Sequence, residues 1–334
     1  MADLHLFNIV SRRAARAVHG SPPVLPPRQG LMAGSANARR YRHCNMSEQT
    51  EASGAQPLRR VVAVTQGRQL TLEMTQALDE LEAVAKRQAV QLLLGDEEAE
   101  KHGRTAASAD ELAAAEAVIV LGGDGNMIRA LKAYGARIPV LGVNFGRVGF
   151  LTSASREQVA VAAERVFAGD YRVQALPTLD LSYRGQHYAA VNDVVVTSGI
   201  IGRLIRLGFS IDGEDQGIQP CDGLISATPS GSTAYNLSNG GPVLVWGLDA
   251  MVTSFIAPHS LNTRPLVTGA GSCLSVVNRS SDVPAALIVD GQRVGDVEAD
   301  EAVSIRIASE QIHLGVLPEE TFFRRYHAVF GARQ

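Results

Sequence analysis

The chain has 334 residues, of which 46% are hydrophobic and 19% are charged, and its formal net charge is −3. This length allows two domains that each bury their own core. No apolar run reaches the roughly 18 residues of a membrane-spanning helix, and the small net negative charge gives no reason to expect nucleic acid as a partner.

The first 57 residues differ in composition from the rest. Before Met46, seven arginines stand against one acidic residue, with four prolines between them, so we predict a disordered extension at 1–57. This pattern is typical of an organellar transit peptide, and the alternative is an upstream extension of a protein that starts at Met46. Three scattered cysteines without zinc-site spacing favour a reduced protein. We therefore expect a cytoplasmic location, with an organellar one as the alternative.

Strands and helices alternate in the first half of the chain. Short apolar runs predict buried strands, and apolar residues at helical spacing predict amphipathic helices. This alternation is typical of an open α/β domain with a parallel sheet, which we place at 58–170. In chain order, the predicted elements are a strand at 61–64, a helix at 70–89, a strand at 90–94, a helix at 110–115, a strand at 117–121, a helix at 126–133, a strand at 140–143 and a helix at 156–167.

Short β-branched runs replace the helical pattern after residue 171. They predict a β-rich domain at 171–312, with antiparallel strands in a sandwich-like arrangement. A C-terminal helix within 313–334 is expected to return to the first domain or to meet another subunit. The predicted strands of the β-rich domain are 179–183, 191–197, 205–211, 224–228, 272–277, 286–289 and 303–307.

A glycine-rich turn, Gly-Gly-Asp-Gly at 122–125, follows the predicted strand at 117–121. Glycines let backbone amides approach a ligand, and a following helix N-terminus favours phosphate. Asp124 lies at the carboxyl end of the strand, where open α/β sheets bind ligands, and suits a metal ligand or a base. The alternative is an ordinary turn with Asp124 as the helix N-cap. The turn matches neither the Walker A pattern nor the dinucleotide-binding fingerprint.

Two further motifs bring polar groups into the β-rich part. Asn192 and Asp193 offer donors and acceptors that suit ribose hydroxyls, although such pairs are also common in turns. The run 221–242 contains Pro-Ser-Gly-Ser-Thr at 229–233 before a short predicted helix, which suits an anion or polar ligand, and the alternative is a serine-rich loop. A serine hydrolase is disfavoured, because the Gly-x-Ser-x-Gly elbow is absent and no histidine lies nearby in sequence.

Five segments, in the same order, resemble the NAD kinase family, and the resemblance covers roughly residues 61–326. The glycine-rich turn alone is also similar to those of diacylglycerol kinases, sphingosine kinases and phosphofructokinases, whereas the Thr-Ala-Tyr element at 233–235 makes the resemblance specific. The five segments are 122–127, 192–193, 222–242, 258–265 and 290–292.

The resemblance implies transfer of a phosphoryl group from ATP to the 2′-hydroxyl of the adenosine ribose of NAD, which gives NADP. It implies Mg²⁺ or another divalent metal, an active site in the cleft between the two domains, and a homo-oligomer, either a dimer or a tetramer. Asp124 would be the base that accepts the hydroxyl proton. Polyphosphate as an alternative donor and NADH as an alternative acceptor are left open.

The resemblance also assigns ligand contacts. Phe150 would lie against adenine, Tyr235 would contact the same nucleoside, and Asp222 would reach the nicotinamide ribose. Arg129 would approach phosphates if a helix begins at residue 126. Two positions before Asp222, where some members carry a basic residue, this chain has Pro220. The other positions implied as contacts are Gly125, Asn192, Asp193, Arg203, Thr233, Ala234, Asn236, Leu237, Ser238 and Gln292.

Two alternative functions share part of this pattern. A lipid kinase of the diacylglycerol or sphingosine type would use the glycine-rich turn, but would leave the adenosine-lining run 233–238 without a role. A non-catalytic dinucleotide sensor would keep the scaffold, but would not need Asp124. Phosphoryl transfer, as opposed to binding alone, separates the sensor from an enzyme.

Overall fold

The computed structural model describes residues 56–67, 71–146 and 149–331, so nearly all of the predicted N-terminal extension lies outside the described residues. The helices are α1 (Leu72–Arg87), α2 (Asp96–His102), α3 (Ala109–Ala113), α4 (Asp124–Tyr134), α5 (Val159–Phe167), α6 (Tyr235–Ser238) and α7 (Phe322–Phe330). The strands are β1 (Arg60–Thr65), β2 (Gln91–Leu93), β3 (Ala117–Leu121), β4 (Val140–Asn144), β5 (Ala154–Ser155), β6 (Arg172–Tyr183), β7 (Gln186–Ala190), β8 (Asp193–Ser198), β9 (Ile205–Ile211), β10 (Glu214–Cys221), β11 (Gly223–Ala227), β12 (Ala250–Ile256), β13 (Leu266–Gly269), β14 (Cys273–Asn278), β15 (Ala285–Val289), β16 (Gln292–Val297) and β17 (Ala302–Val316).

Four parallel strands form one end of the larger sheet, in the order β2-β1-β3-β4. All five residues of β3 are buried, because helices cover both faces of a parallel strand of this kind. α1 and α5 pack on one face through Leu78, Leu81 and Val166, and α4 packs on the other through Met127 and Leu131. The predicted α/β arrangement is confirmed for these elements.

The long strand β17 joins the parallel and antiparallel parts of this sheet. Leu314 pairs in parallel with Val140 of β4, while most of β17 pairs antiparallel with β6. The sheet continues from β17 through β14 and β9 to β10, and comprises 11 strands within the described residues. The predicted parallel sheet is therefore one end of a mixed sheet.

The second sheet is antiparallel throughout, with the strand order β13-β12-β11-β8-β15-β16. One core cluster contains Val194, Leu224 and Leu287 from this sheet together with Leu207 and Ile305 from the larger sheet. The two sheets therefore pack face to face over a shared apolar layer, as alternating inward residues of two sheets do. The predicted sandwich-like β-rich part is confirmed.

Two element boundaries differ from the prediction, one at the start of α4 and one near the C-terminus. α4 begins at Asp124, two positions before the predicted start at residue 126. β17 runs to Val316, so the expected C-terminal unit at 313–334 begins inside a strand, and α7 starts only after Thr321, whose hydroxyl caps the helix. No helix in the described part of the chain is long and apolar enough to cross a membrane.

Several elements were missed because their sequences lack a clear hydrophobic pattern. α2 reads Asp-Glu-Glu-Ala-Glu-Lys-His, and only Ala99 and His102 are buried, so it has no apolar face to recognise. β10 is similarly polar and contains Pro220 close to its end. β5, β7, β13 and β16 were also not predicted, and neither was β12, although β12 is largely apolar and buried.

A substitution at Gly315 tests how tightly the core is packed at the junction between the two parts of the larger sheet. A Cβ at Gly315 would lie 2.3 Å from Cγ of Leu141 in the core, whereas a Cβ at Gly269 of β13 would meet no atom within 4 Å. Because overpacking a core costs about 1–3 kcal/mol, we expect Gly315→Ala to lower the free energy of unfolding by that amount relative to Gly269→Ala. Urea denaturation of both variants measures the difference. Equal stabilities would mean that this junction is loosely packed.

Candidate functional site

The glycine-rich turn places Asp124 at the first position of α4. Gly123 occupies the N-cap position, so the alternative in which Asp124 is the N-cap is wrong. The carboxylate instead accepts hydrogen bonds from the loop after β4: Oδ2 accepts from the amide of Phe150 at 2.8 Å, and Oδ1 accepts from the amide of Leu151 at 3.1 Å. Asp124 is partly exposed. The side chain is therefore oriented by two amides and still open to a ligand.

Gly149 allows this close approach between the loop and the carboxylate. A Cβ at Gly149 would lie 2.2 Å from Oδ1 of Asp124, which is far inside van der Waals contact. Any larger residue would push either the loop or the carboxylate out of place. The glycine at this position is thus explained by the site.

Phe150 lies beneath α7. It is only 6% exposed, and its ring centroid is 6.0 Å from that of Phe322 and 5.6 Å from that of Phe330. The ring belongs to the apolar core that α7 completes. The structure therefore does not bring Phe150 into the pocket where its expected contact with adenine would be made.

A pocket of about 420 Å³ opens between α4 and the six-stranded sheet. Four of the predicted contact residues line it: Asn192, Asp193, Ala234 and Tyr235. Tyr235 is half-exposed, as expected of a side chain at the rim. The lining residues that the sequence analysis did not select are Ile128, Val195, Thr197, Ile288, Asp290 and Gly291.

The Asn192 side chain has an unused hydrogen-bond acceptor. Its Oδ1 is buried and has no hydrogen-bond partner among the described residues. A buried polar atom without a partner costs about 1–3 kcal/mol, and a hydroxyl or amino group of a ligand would satisfy it. This orphaned oxygen indicates that the pocket is built for a polar ligand.

Asp290 ties α4 to the strand that begins with Asp193. Its carboxylate accepts hydrogen bonds from the amides of residues 191–193 at 2.7 to 3.2 Å, and Nζ of Lys132 on α4 lies 3.1 Å from Oδ2. The Asp290 side chain is 2% exposed. The sequence analysis included Asp290 in a family segment without giving it a role, and it missed Lys132. An isolated lysine on a helix gives no signal of such a distant partner.

Asp193 lies close to this carboxylate. Burial, and to a lesser extent the charge of Asp290, raise the pKa of Asp193 to about 7. Asp193 is 6% exposed. The pocket therefore contains a carboxyl group whose charge changes near neutral pH.

The hydroxyl-rich loop uses most of its side chains to build itself. Thr228 and Ser230 both donate to the carbonyl of Val191, Ser232 donates to that of Pro229, and Thr233 donates to that of Ser230. These hydroxyls fix the loop against the strand start at Asn192. They leave Ala234 and Tyr235 to face the pocket.

Asn236 is also used inside the protein. Its Nδ2 donates to the carbonyls of Ser232 and Pro242, and its Oδ1 accepts from the Ser254 hydroxyl. It is fully buried, so the structure does not bring it to the pocket surface. Thr233, Leu237 and Ser238 likewise do not line the pocket.

The other expected contacts lie outside the pocket. Arg203 is exposed and pairs with Asp282 at 2.9 Å. Arg129 points along α4 to Asn126 and lines a separate hollow of about 280 Å³. Gly125 and Gln292 are exposed.

Asp222 lies at the edge of the pocket. Its backbone carbonyl accepts a hydrogen bond from the hydroxyl of Thr197, which is a lining residue, at 2.8 Å. The Asp222 residue itself is exposed. The structure therefore places this predicted contact beside the pocket and not in its lining.

Comparison with known proteins finds relatives for both parts of the chain. The family models described as the ATP-NAD kinase N-terminal domain and the ATP-NAD kinase C-terminal domain match residues 37–171 and 191–315. The NAD kinase of Gemmatimonas aurantiaca is 39% identical over 226 residues, which are 65% of this chain and 77% of the relative. The chain belongs to the NAD kinase family. The NAD kinase of Heliobacterium modesticaldum is 38% identical over 221 residues, which are 64% of this chain and 78% of that protein.

Solved structures share the fold of this NAD kinase family member. Yeast NADH kinase complexed with NADH has a TM-score of 0.72 at 23% identity, with 84% of this chain and 89% of that chain covered. An NAD kinase from Archaeoglobus fulgidus in complex with ATP has a TM-score of 0.66 at 26% identity, with 82% and 99% covered. Membership in this family of phosphotransferases disfavours both the lipid kinase and the non-catalytic sensor.

The raised pKa of Asp193 predicts a pH dependence of stability in this NAD kinase family member. The unfolded carboxyl group ionises near its ordinary pKa of 3.8, whereas the folded one keeps its proton up to about pH 7. Stability should therefore fall as the pH rises from about 4 to 7 and then level off, by roughly 2–4 kcal/mol in total. Asp193→Asn should lose this component.

Urea denaturation of the wild type and Asp193→Asn between pH 5 and 8 measures this pH-dependent contribution to the free energy of unfolding, because all other titrating groups are common to both proteins. Parallel stability curves for the two would show that Asp193 ionises normally in the folded state.

Proposed function

We propose that this protein transfers a phosphoryl group from ATP to the 2′-hydroxyl of the adenosine ribose of NAD, giving NADP. The observation that carries the proposal is the partly exposed Asp124 carboxylate, held by two backbone amides at the start of α4. Ile128, one helical turn further along α4, lines the pocket. Residues four apart share a helix face, which supports the proposal that the carboxylate acts on a ligand in this pocket.

Asp124 is the proposed general base. A ribose hydroxyl is a weak nucleophile at neutral pH, and a positioned carboxylate that takes its proton makes it an adequate one. The 2′-oxygen forms a bond to the transferred phosphorus while the bond from that phosphorus to ADP breaks. The hydroxyl proton passes to Asp124, and ADP leaves. A carboxylate has about four acceptor positions, so two amide bonds leave room for the hydroxyl.

The glycine-rich turn and the N-terminus of α4 are the proposed site for the donor phosphates. Gly125 is exposed in the first turn of this helix, where backbone amides and the helix dipole favour anions. The complex of the Archaeoglobus fulgidus relative with ATP supports ATP as the donor. Polyphosphate, which presents similar phosphate groups, is the alternative donor.

Mg²⁺ is proposed as part of the donor substrate. The described residues contain no group of three or more His, Cys, Asp or Glu side chains that could hold a metal ion. Mg²⁺ commonly binds through substrate phosphates and water with only one or two protein carboxylates, so the partly exposed Asp124 carboxylate fits a metal that arrives with ATP. Such a metal supplies charge neutralisation during phosphoryl transfer.

The pocket is the proposed site of the NAD acceptor. Asn192 and Asp193 offer acceptors and a donor to ribose hydroxyls, and the half-exposed ring of Tyr235 offers a surface for a base. Asp222, beside the pocket, is the proposed contact for the nicotinamide ribose. NADH is the alternative acceptor, as the complex of the yeast relative illustrates for that protein.

A homo-oligomer is proposed on the basis of exposed apolar side chains. Ile200, Ile201 and Leu204 are exposed on one turn, and Leu266 and Val267 are exposed on the edge strand β13. Clustered exposed apolar residues and open strand edges are typical of interfaces. Light scattering that gives the mass of a monomer would contradict this proposal.

The domain division and the location are proposals as well. Separate matches of the two family models support an α/β domain at 58–170 and a β-rich domain at 171–312. A cytoplasmic location is supported by two free cysteines, Cys221 and Cys273, and microscopy of a fluorescent fusion of the whole chain tests it.

Asp124→Asn tests the proposed base. The amide keeps the shape of the side chain but cannot take up the proton, and it can accept from only one of the two backbone amides, so turnover should fall by about 10²- to 10⁴-fold while NAD still binds. The assay mixes the protein with NAD, ATP and Mg²⁺, and detects NADP with an NADP-specific dehydrogenase. Calorimetry measures NAD binding.

Asp110→Asn is the matched control, because Asp110 also lies in the first turn of a helix but is exposed and lines neither the pocket nor the hollow beside Arg129. It should leave turnover unchanged. Near-normal turnover of Asp124→Asn would remove Asp124 from the mechanism. A wild type that binds NAD but forms no NADP would favour the sensor.

A further inference from the structure

Arg325 on α7 is a buried charge whose role the proposed mechanism has not used. Its side chain is 3% exposed, and its ion-pair partner among the described residues is Glu320, at 3.7 Å. Burial lowers the pKa of Arg325, and the carboxylates of Glu320 and Asp124 oppose this shift. Arginine is almost never fully buried without close partners, because losing its hydration is costly. Its hydrogen bonds therefore need an explanation.

The guanidinium binds the loop that holds Asp124. Nη1 donates to the carbonyl of Phe150 at 3.1 Å and, at 3.5 Å, to that of Gly149, while Nη2 donates to the Ser153 hydroxyl at 3.2 Å. Arg325 thus contacts the loop from the side of its carbonyl groups. Asp124 contacts the same loop from the side of its amides.

These contacts belong to the same two peptide groups. The carbonyl of Gly149 and the amide of Phe150 form one peptide group, and the carbonyl of Phe150 and the amide of Leu151 form the next. In each, the oxygen accepts from Arg325 and the nitrogen donates to Asp124. A cation at the carbonyl polarises a peptide group, so its amide donates more strongly. Two planar peptide groups therefore connect the guanidinium to the carboxylate.

Neighbouring aromatic rings restrict Arg325 to this position. The guanidinium lies over the Trp246 ring at 5.6 Å from its centroid, and Phe322 packs edge-on against the same ring at 5.5 Å. The Nε of Arg325 has no hydrogen-bond partner among the described residues. Within this part of the chain, the hydrogen bonds of the Arg325 side chain all go to the loop. α7 thus presents a fixed cation to the back of the loop.

We propose that Arg325 is a positioning residue for phosphoryl transfer, which holds the Asp124 carboxylate in its reactive orientation through two consecutive peptide groups. The inference rests on the proposed function, since it takes Asp124 as the base. It differs from a purely structural role, in which Arg325 would only fasten α7 to the protein. A structural anchor would change stability, whereas a positioning residue acts on turnover through Asp124.

A double-mutant cycle separates the two roles. Arg325→Met removes the cation with little change of volume. The substitution is made both in the wild type and in the Asp124→Asn variant. Because a small misplacement of a catalytic group costs up to about 10²-fold, we expect kcat of Arg325→Met to fall by about 10- to 10²-fold, with KM for NAD changed by less than about 3-fold. In Asp124→Asn, the same substitution should cause no further loss, since the two residues act as one unit.

Arg325→Lys keeps a cation that can reach one carbonyl, so it should recover part of the lost kcat. It also serves if Arg325→Met does not fold. Arg324→Met is the matched control, because Arg324 is the exposed neighbour on the same helix and should keep wild-type kcat. Thermal unfolding and NAD binding are measured for every variant, and rates are compared with a blank without enzyme.

Equal losses of kcat in the presence and absence of the Asp124 carboxylate would overturn the positioning role, as would a loss of stability or NAD affinity with kcat unchanged. If the rate of Asp124→Asn cannot be told from the blank, Arg325→Lys is used instead. A lower kcat with KM for NAD unchanged then supports the positioning role, and a changed KM with kcat unchanged contradicts it. A wild type that makes no NADP would instead contradict the proposed function, so the two failures are distinguishable.

Discussion

One face of α4 organises the site. Asp124, Ile128 and Lys132 follow one another at intervals of four residues, so they lie along a single stripe of the helix. Asp124 accepts hydrogen bonds from two amides of the loop after β4, Ile128 lines the pocket, and Lys132 pairs with Asp290. Because these three contacts share one rigid element, the proposed base, the pocket wall and the strand start at Asp193 hold fixed positions relative to one another.

The site keeps charged groups in places that stability alone would not favour. Asp193 and Asp290 lie close together in a largely buried position, and the pKa of Asp193 is raised as a result. The oxygen of Asn192 is left without a partner among the described residues. Local conflicts of this kind are expected at functional sites, where binding a ligand offsets them, and the well-satisfied amide of Asn236 nearby shows the opposite case.

The sequence was informative where a local pattern decides the structure. Buried strands such as β3 and β9 have continuous or alternating apolar residues, and the glycine-rich turn identified Asp124 at the end of β3. Arg325 and Lys132 were not found, because their partners are distant in sequence and a basic residue on an amphipathic helix normally faces solvent. Phe150 was expected in the ligand site by resemblance, but α7 covers its ring.

The position of β17 also affects how the chain is made. β4 is synthesised well before residues 302–316, yet β17 pairs with it at Val140, on the side where β5 covers only Val143 and Asn144. Until then, a nascent chain carries a parallel sheet whose edge at β4 is only partly paired, which is a template for association with other chains. Translation that stops ahead of β17 would therefore leave a product prone to aggregation, and chaperone binding during synthesis is most useful in the interval between these two strands.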